Sequence, residues 1–224
     1  MLNAFSPRLD ILPAPQQRLW PELVQTPDEF TLYGGTAIAL HLGHRQSLDF
    51  DFFARTSFEP RSLMQRLPYL REAVVRQSAA NNLTVTVDRG GPVQLSFFGA
   101  LQIGQAAPEE LAEGPRIKVA ALIDLAGMKA AVVTQRAEAR DYLDIHALLS
   151  KANISLSEML AAGAIIYGTE FNPLLSLKAI SYHDDLALGD LPEDVRHDLI
   201  KAVQATDPGK LPVLNAIRTR EATP

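Results

Sequence analysis

The 224-residue chain contains no cysteine. That absence excludes a disulfide scaffold, a thiolate zinc site and a cysteine nucleophile, and it fits a reducing compartment. Long apolar runs are missing too: no stretch approaches the ~20 residues needed to span a bilayer. The opening segment, MLNAFSPRLDILPAPQQRLW, carries Pro7, Pro13 and Pro15 and lacks the apolar run of a signal peptide. A soluble, cytoplasmic protein is therefore expected. Charge of one sign is not in large excess either. Lys and Arg number 21 against 26 Asp and Glu, a formal charge of −5, which argues against a basic protein that coats nucleic acid. What is present is an ordinary globular composition, 47% hydrophobic with 13 Gly and 15 Pro, long enough to bury a core. The acidity is unevenly placed. Residues 1–100 hold nine basic and nine acidic side chains, and 101–224 hold twelve and seventeen.

The first half reads as mixed α and β. A short helix is expected around Gln16–Leu23, then an apolar strand, Phe30–Tyr33, that stops at Gly34-Gly35. Thr36 suits the N-cap of a helix, TAIALHL, that Gly43 ends. Ser47–Phe53, SLDFDFF, alternates with the period of a strand. A helix near Pro60–Leu67 precedes two strands, Leu83–Val87 and Val93–Phe98, and the intervening Arg89-Gly90-Gly91-Pro92 makes them a hairpin. The second half is helical, apart from a short strand expected near Arg116–Val119. Its helices are expected over Leu122–Thr134, Ala139–Ser150, Ser155–Gly168, Pro173–Tyr182 and Pro192–Gln204. Ala107–Pro115 is the expected junction, giving a core over 1–115 and a helical region over 116–224. Thr219–Pro224 is expected to fray.

The chemistry concentrates in LYGGTAIALHLGHRQSLDFDFF. Asp49 and Asp51 lie two apart on a strand, so both carboxylates project from one face while Leu48, Phe50 and Phe52 fill the other. Adjacent carboxylates repel, and half-burying them is unfavourable unless a cation neutralises them. A hard divalent ion such as Mg²⁺ takes oxygen ligands and keeps waters that phosphates can displace. Gly34 and Gly35 allow close backbone approach and Thr36 opens a helix whose N-terminus favours a phosphate, so Gly34, Gly35 and Thr36 are expected to cradle phosphates. A phosphate cradle beside a metal site is what phosphoryl or nucleotidyl transfer requires, since that chemistry is mostly positioning and charge neutralisation.

Gly-Gly-Thr, twelve residues and then Asp-Phe-Asp resembles the signature of the polymerase-β-like nucleotidyltransferase superfamily. The fuller string, with the later blocks DLAGMKAAVVTQRAEARDYLDIHALL and LLSLKAISYHDDLALGDLP, resembles the AbiEii/AbiGii toxin-type nucleotidyltransferases from about Phe30 to Leu191. The resemblance implies an α+β fold with a mixed sheet, flanking helices and a C-terminal helical region that completes the cleft. It implies metal-dependent transfer of a nucleotide from an NTP to an acceptor hydroxyl, with Mg²⁺ or Mn²⁺ held by Asp49 and Asp51. It further implies the toxin half of a toxin–antitoxin or abortive-infection system, with a cognate antitoxin as partner and RNA, transfer RNA in particular, as acceptor.

Several residues carry two readings each. Lys129, on an apolar helix, either snorkels to water or, as the resemblance implies, meets the nucleotide triphosphate. Asp141 either complements a helix N-terminus or, by the resemblance, helps orient Lys129 or the substrate. Arg45 either complements a helix C-terminus or meets the triphosphate or the acceptor. Asp144 and His146 are weaker candidates. His41 and His44 flank a helix end and are expected to face solvent or RNA. Arg55, Arg61, Arg66, Arg71 and Arg76 form either a solvated face or a track for an RNA backbone. The wider superfamily carries a third carboxylate on a neighbouring strand, and here Ser96 takes that place. A hydroxyl neither neutralises a second metal ion nor serves as a base near neutral pH. That keeps a catalytically impaired nucleotide- or partner-binding module in view. A small-molecule nucleotidyltransferase with a cationic acceptor is the other alternative, supported by the acids of the second half, including Asp184, Asp185 and Asp190.

Overall fold

The computed structural model describes residues 2–182, 189 and 191–220. Asp184, Asp185, Asp190 and the last four residues of the expected fraying segment lie outside the described residues. The chain forms two compact units, 1–102 with 109–120 and 103–108 with 121–224. Residues 109–120 join the first unit because they carry two of its strands, so the units divide after residue 120 where a boundary after 115 was expected.

The first unit is an eight-stranded mixed sheet. Its strands are β1 (Ala4–Phe5), β2 (Thr31–Tyr33), β3 (Asp49–Phe53), β4 (Val74–Ala79), β5 (Asn82–Asp88), β6 (Pro92–Phe98), β7 (Glu110–Ala112) and β8 (Lys118–Val119). Their spatial order is β1-β7-β8-β2-β3-β6-β5-β4. The helices are α1 (Ala14–Leu19), α2 (Gly34–Leu42) and α3 (Pro60–Arg66). Pro21 sits near the start of a 3₁₀ segment, Trp20–Gln25, that follows α1 directly. One sheet face is apolar and dry: Phe50, Phe52, Leu83, Val85, Val93, Leu95 and Phe97 have no exposed surface. Phe97 stacks on Phe52 at 5.3 Å, and Phe30 meets it edge-on at 5.3 Å, so aromatic packing fixes the strands on that side. Leu48, expected to share this face, is 58% exposed because β3 begins only at Asp49.

The Gly90-Gly91 hairpin forms as expected, with both glycines at positive φ and the Asp88 carboxylate accepting from both backbone N–H groups. Strand β4 is not legible beforehand. It is exposed along its whole length and pairs antiparallel with β5 through a tight turn in which Asn81 takes φ 60.

The second unit contains α4 (Leu122–Val132), α5 (Ala139–Ser150), α6 (Leu156–Tyr167), α7 (Pro173–Ser181) and α8 (Glu193–Gln204). Helix α6 starts at a capping box in which the Ser155 hydroxyl and the Glu158 carboxylate satisfy each other's backbone N–H groups. Helices α4 and α6 approach closely where Gly127 faces the backbone of Ala162 and Gly163. The segment 103–108 is held by the Asp124 carboxylate, which accepts from the Ala106 and Ala107 N–H groups at 2.8 and 2.9 Å. No helix among the described residues is long and apolar enough to cross a membrane.

Candidate active site

In the first unit β2 runs straight into α2, and β3 returns beside β2 in antiparallel register, Tyr33 opposite Asp51. The alternation along β3 places Asp49, Asp51 and Phe53 on the half-exposed face and Phe50 and Phe52 on the buried one. Gly34 has φ +76, a conformation that disfavours a side chain, and a Cβ there would stand 2.8 Å from the Asp51 carboxylate. The helix N-terminus is thus brought against the carboxylate pair, and only glycine permits it. Tyr33, the residue before the helix, provides no side-chain cap. The first-turn N–H groups and the positive end of the helix dipole remain available to an anion.

Thr36 is not the N-cap that the sequence suggests. It lies in the first turn of α2 and is 3% exposed. Its hydroxyl donates to the Asp49 carbonyl oxygen and is hydrogen-bonded to the Ser47 hydroxyl at 2.7 Å. Its side chain therefore fixes the entry of β3 against α2 rather than facing a ligand. Gln16 of α1 adds a second tie, donating to the Leu48 carbonyl at 2.7 Å. Ser47 and Gln16 carried no signal in the sequence, because their value lies in partners remote along the chain. The Asp49 carboxylate has no hydrogen-bond or ion-pair partner among the described residues. Arg45, half-buried beyond the end of α2, donates to the Gln46 carbonyl at 2.9 Å.

Strand β6 lies parallel to β3 with Asp51 paired to Ser96 and Asp49 to Gln94. Ser96 is buried beside Asp51, the neighbouring-strand position that the sequence assigned to it. Among the described residues no cluster of three or more His, Cys, Asp or Glu side chains forms a ready metal cage.

The remaining site candidates come together in the second unit. Lys129 of α4 is buried, and its Nζ lies 2.6 Å from Asp141 Oδ1 and 2.7 Å from Asp144 Oδ2 of α5. Both aspartates are fully buried. Arg136 closes on Asp141 through Nε at 2.8 Å and Nη2 at 3.2 Å. Lys129 and the exposed Arg136 balance the two carboxylates, which is what allows Lys129, Asp141 and Asp144 to be buried. Burial alone would push the Asp141 carboxyl up, but the Arg136 hydrogen bond and Lys129 outweigh it and hold it below the usual carboxylate range. Lys129 therefore does not snorkel, and Asp141 does more than complement a helix end. His146 pairs instead with Asp198 of α8 at 3.0 Å.

One expectation fails. His41 does not face solvent: its ring stacks on Phe5 at 3.8 Å and lies 3.8 Å from a Glu110 oxygen. Burial holds it down to about pKa 4, against a weaker opposing backbone hydrogen bond with Ala120. Arg55, Arg61, Arg66, Arg71 and Arg76 are all exposed. Arg66 is 3.3 Å from Glu29, and Arg71 lines a groove of about 240 Å³ with Glu72, Asp88 and Arg89. Arg76 is tied to the carboxylate-bearing face, its Nε donating to Thr86 Oγ1 at 3.0 Å.

This geometry has known counterparts. A sequence profile described as the nucleotidyl transferase AbiEii toxin of a Type IV toxin–antitoxin system matches residues 18–212. The uncharacterised protein aq_aa25 of Aquifex aeolicus (strain VF5) is 30% identical over 134 residues, 59% of this chain and 63% of that protein. The chain thus spans less than two thirds of that relative's length. MenT4, the nucleotidyltransferase toxin Rv2826c of Mycobacterium tuberculosis H37Rv, is similar with a TM-score of 0.58 at 16% identity, over 87% of this chain and 83% of that one. JHP933 of Helicobacter pylori gives 0.56 at 16% identity over 85% and 88%. At such identities the likeness concerns the fold, a mixed sheet with flanking helices of the polymerase-β-like kind. Because the profile runs from the first helix of the sheet unit to beyond the last helix of the other, this chain belongs to the AbiEii nucleotidyltransferase toxin family.

Proposed function

We propose that this toxin-family nucleotidyltransferase is metal-dependent and moves a nucleotide from an NTP to an acceptor hydroxyl of RNA, transfer RNA included. The observation that carries this reading is the contact between the start of α2 and the carboxylate pair, Gly34 against Asp51. Asp49 and Asp51 are the residues to hold Mg²⁺ or Mn²⁺. Two carboxylates on one strand face suit a hard ion that completes its shell with water and phosphate oxygens. Such an ion neutralises charge on the phosphoryl group under transfer. The Gly34 and Gly35 N–H groups receive phosphate oxygens, and Thr36 keeps Asp49 in place through its carbonyl. Arg45 is assigned to the triphosphate. Lys129 is the cation that the resemblance assigns to the triphosphate, and within the second unit its Nζ is held by Asp141 and Asp144.

A second reading, nucleotide or partner binding without transfer, is favoured by Ser96 beside Asp51, where a third carboxylate would complete a two-metal site. One assay separates the two. The protein is incubated with each labelled NTP, Mg²⁺ or Mn²⁺, and total RNA. Label entering RNA, and falling on the order of 10²-fold or more in Asp49→Asn and Asp51→Asn, supports transfer. Nucleotide binding with no labelled RNA supports the second reading and overturns the first.

A further inference from the structure

Strand register carries the carboxylate-bearing face across the sheet to its edge. Asp49 pairs with Gln94, and Gln94 pairs with Thr86, whose hydroxyl holds Arg76 of β4. In the next row Asp51, Ser96, Thr84 and Gln77 follow one another across β3, β6, β5 and β4. A third row begins with Phe53 and Phe98, which meet edge to face at 5.4 Å. Partners directly opposite one another in a sheet project to the same side. Thr84, Thr86, Phe53 and Phe98 are half-exposed, and Gln94, Arg76 and Gln77 are exposed. The exposure of these side chains leaves this part of the face open.

We propose that the face formed by β3, β6, β5 and β4 is the acceptor platform, and that the acceptor is a single-stranded polynucleotide lying from Asp49 towards Arg76. This rests on the transfer reading above. Three strand spacings of about 4.8 Å make a path of about 14 Å, the length of about four nucleotides stacked at about 3.4 Å. Its side chains are hydroxyls and amides, with aromatic edges beside them and the exposed Val74 and the Arg76 guanidinium at the far end. Hydroxyls and amides meet base edges and ribose hydroxyls, aromatic rings take base faces, and the guanidinium takes a phosphate. A cationic small acceptor would need carboxylates along the path. Beyond Asp49 and Asp51 there is only Asp88 at the strand end, and its carboxylate is engaged by the Gly90 and Gly91 N–H groups.

The test uses the full chain, with Arg76→Ala and Thr86→Val separately and together. Thermal melting confirms that these substitutions leave the fold intact. Affinity is read by fluorescence anisotropy with labelled single-stranded RNA and DNA oligonucleotides, and transfer by label from NTP. The double variant is expected to raise oligonucleotide Kd and acceptor KM about tenfold, with kcat and NTP KM within about twofold. Unchanged Kd and acceptor KM, with transfer still lost in Asp49→Asn, would overturn the platform and leave the transfer reading standing. Tenfold weaker oligonucleotide binding by the double variant, when the wild-type protein transfers nothing, would sink the transfer reading and keep the surface. No binding and no transfer by wild type removes both. A larger effect on RNA than on DNA assigns the contacts to ribose 2′-hydroxyls, and an equal effect assigns them to bases and phosphates.

Discussion

His41 illustrates how much a single side chain owes to surroundings that are distant in sequence. It sits in the last turn of α2, yet its ring is packed on Phe5 of β1 and beside Glu110 of β7. Burial depresses its folded pKa from 6.5 to about 4. Above pH 6.5 it is neutral whether folded or unfolded, so it contributes no pH dependence there. Between pH 6.5 and about 4 the unfolded chain takes a proton that the folded one refuses, and stability falls as pH falls. At about 1.4 kcal/mol per unit, this group removes up to about 3 kcal/mol by pH 4. Urea unfolding between pH 7 and 4 checks it: His41→Gln should flatten that slope, and an unchanged slope refutes the assignment. Lys129 shows the opposite resolution of a buried charge. Its ammonium is matched by Asp141 and Asp144, so it is paired inside the helical unit without reaching water. The sequence shows a cation on an apolar helix and leaves snorkelling and pairing equally open. The choice depends on α5 lying alongside α4, which no local pattern reveals.

At the scale of elements, the α4–α6 pair tests whether helix propensity or packing dominates. Replacing a mid-helix glycine by alanine ordinarily gains up to about 1 kcal/mol. At Gly127 the new Cβ would lie 2.7 Å from the backbone of Ala162 and Gly163, atoms that cannot turn aside. Overpacking of this kind costs about 1–3 kcal/mol, so Gly127→Ala should be net destabilising by about 1–2 kcal/mol in thermal or urea denaturation. A rise in stability would show that the helices separate freely. The helices of this unit were legible from their apolar periodicity, glycines and prolines, and their ends shift by only a residue or two. The sheet was legible where alternation is strong, in β3, β5 and β6. It was not legible in β4, whose Val-Val-Arg-Gln-Ser-Ala has no apolar alternation because both of its faces are exposed. The short strands β1 and β7 pair at the far edge of the sheet over two residues each, too few for any period to register.

For the whole molecule, a formal charge of −5 makes a polyanionic acceptor improbable on electrostatics alone, so any contact with one must be local. Arg66 faces Glu29, Arg71 lines a groove with Glu72, Asp88 and Arg89, and Arg76 is hydrogen-bonded to Thr86 on the face that carries Asp49 and Asp51. Salt titration of oligonucleotide binding distinguishes a local contact from a track. One phosphate contact predicts a log–log slope of about −0.7, whereas five engaged arginines predict about −3.5. A slope near the larger value would support the track and shift the acceptor away from the sheet face. The amino-acid sequence by itself determined the strand–Gly-Gly–helix–strand unit, the shared face of Asp49 and Asp51, and the helical character of the second half. These follow from period, turn residues and side-chain volume, which act between near neighbours. Tertiary structure alone decided that Asp51 touches Gly34 and lies beside Ser96, that Thr36 supports β3 from within α2, and that His41 is buried. It also decided that Lys129 is held by two aspartates. Each of these depends on strand register or helix packing between residues remote along the chain, where burial and charge pairing are settled by the fold as a whole.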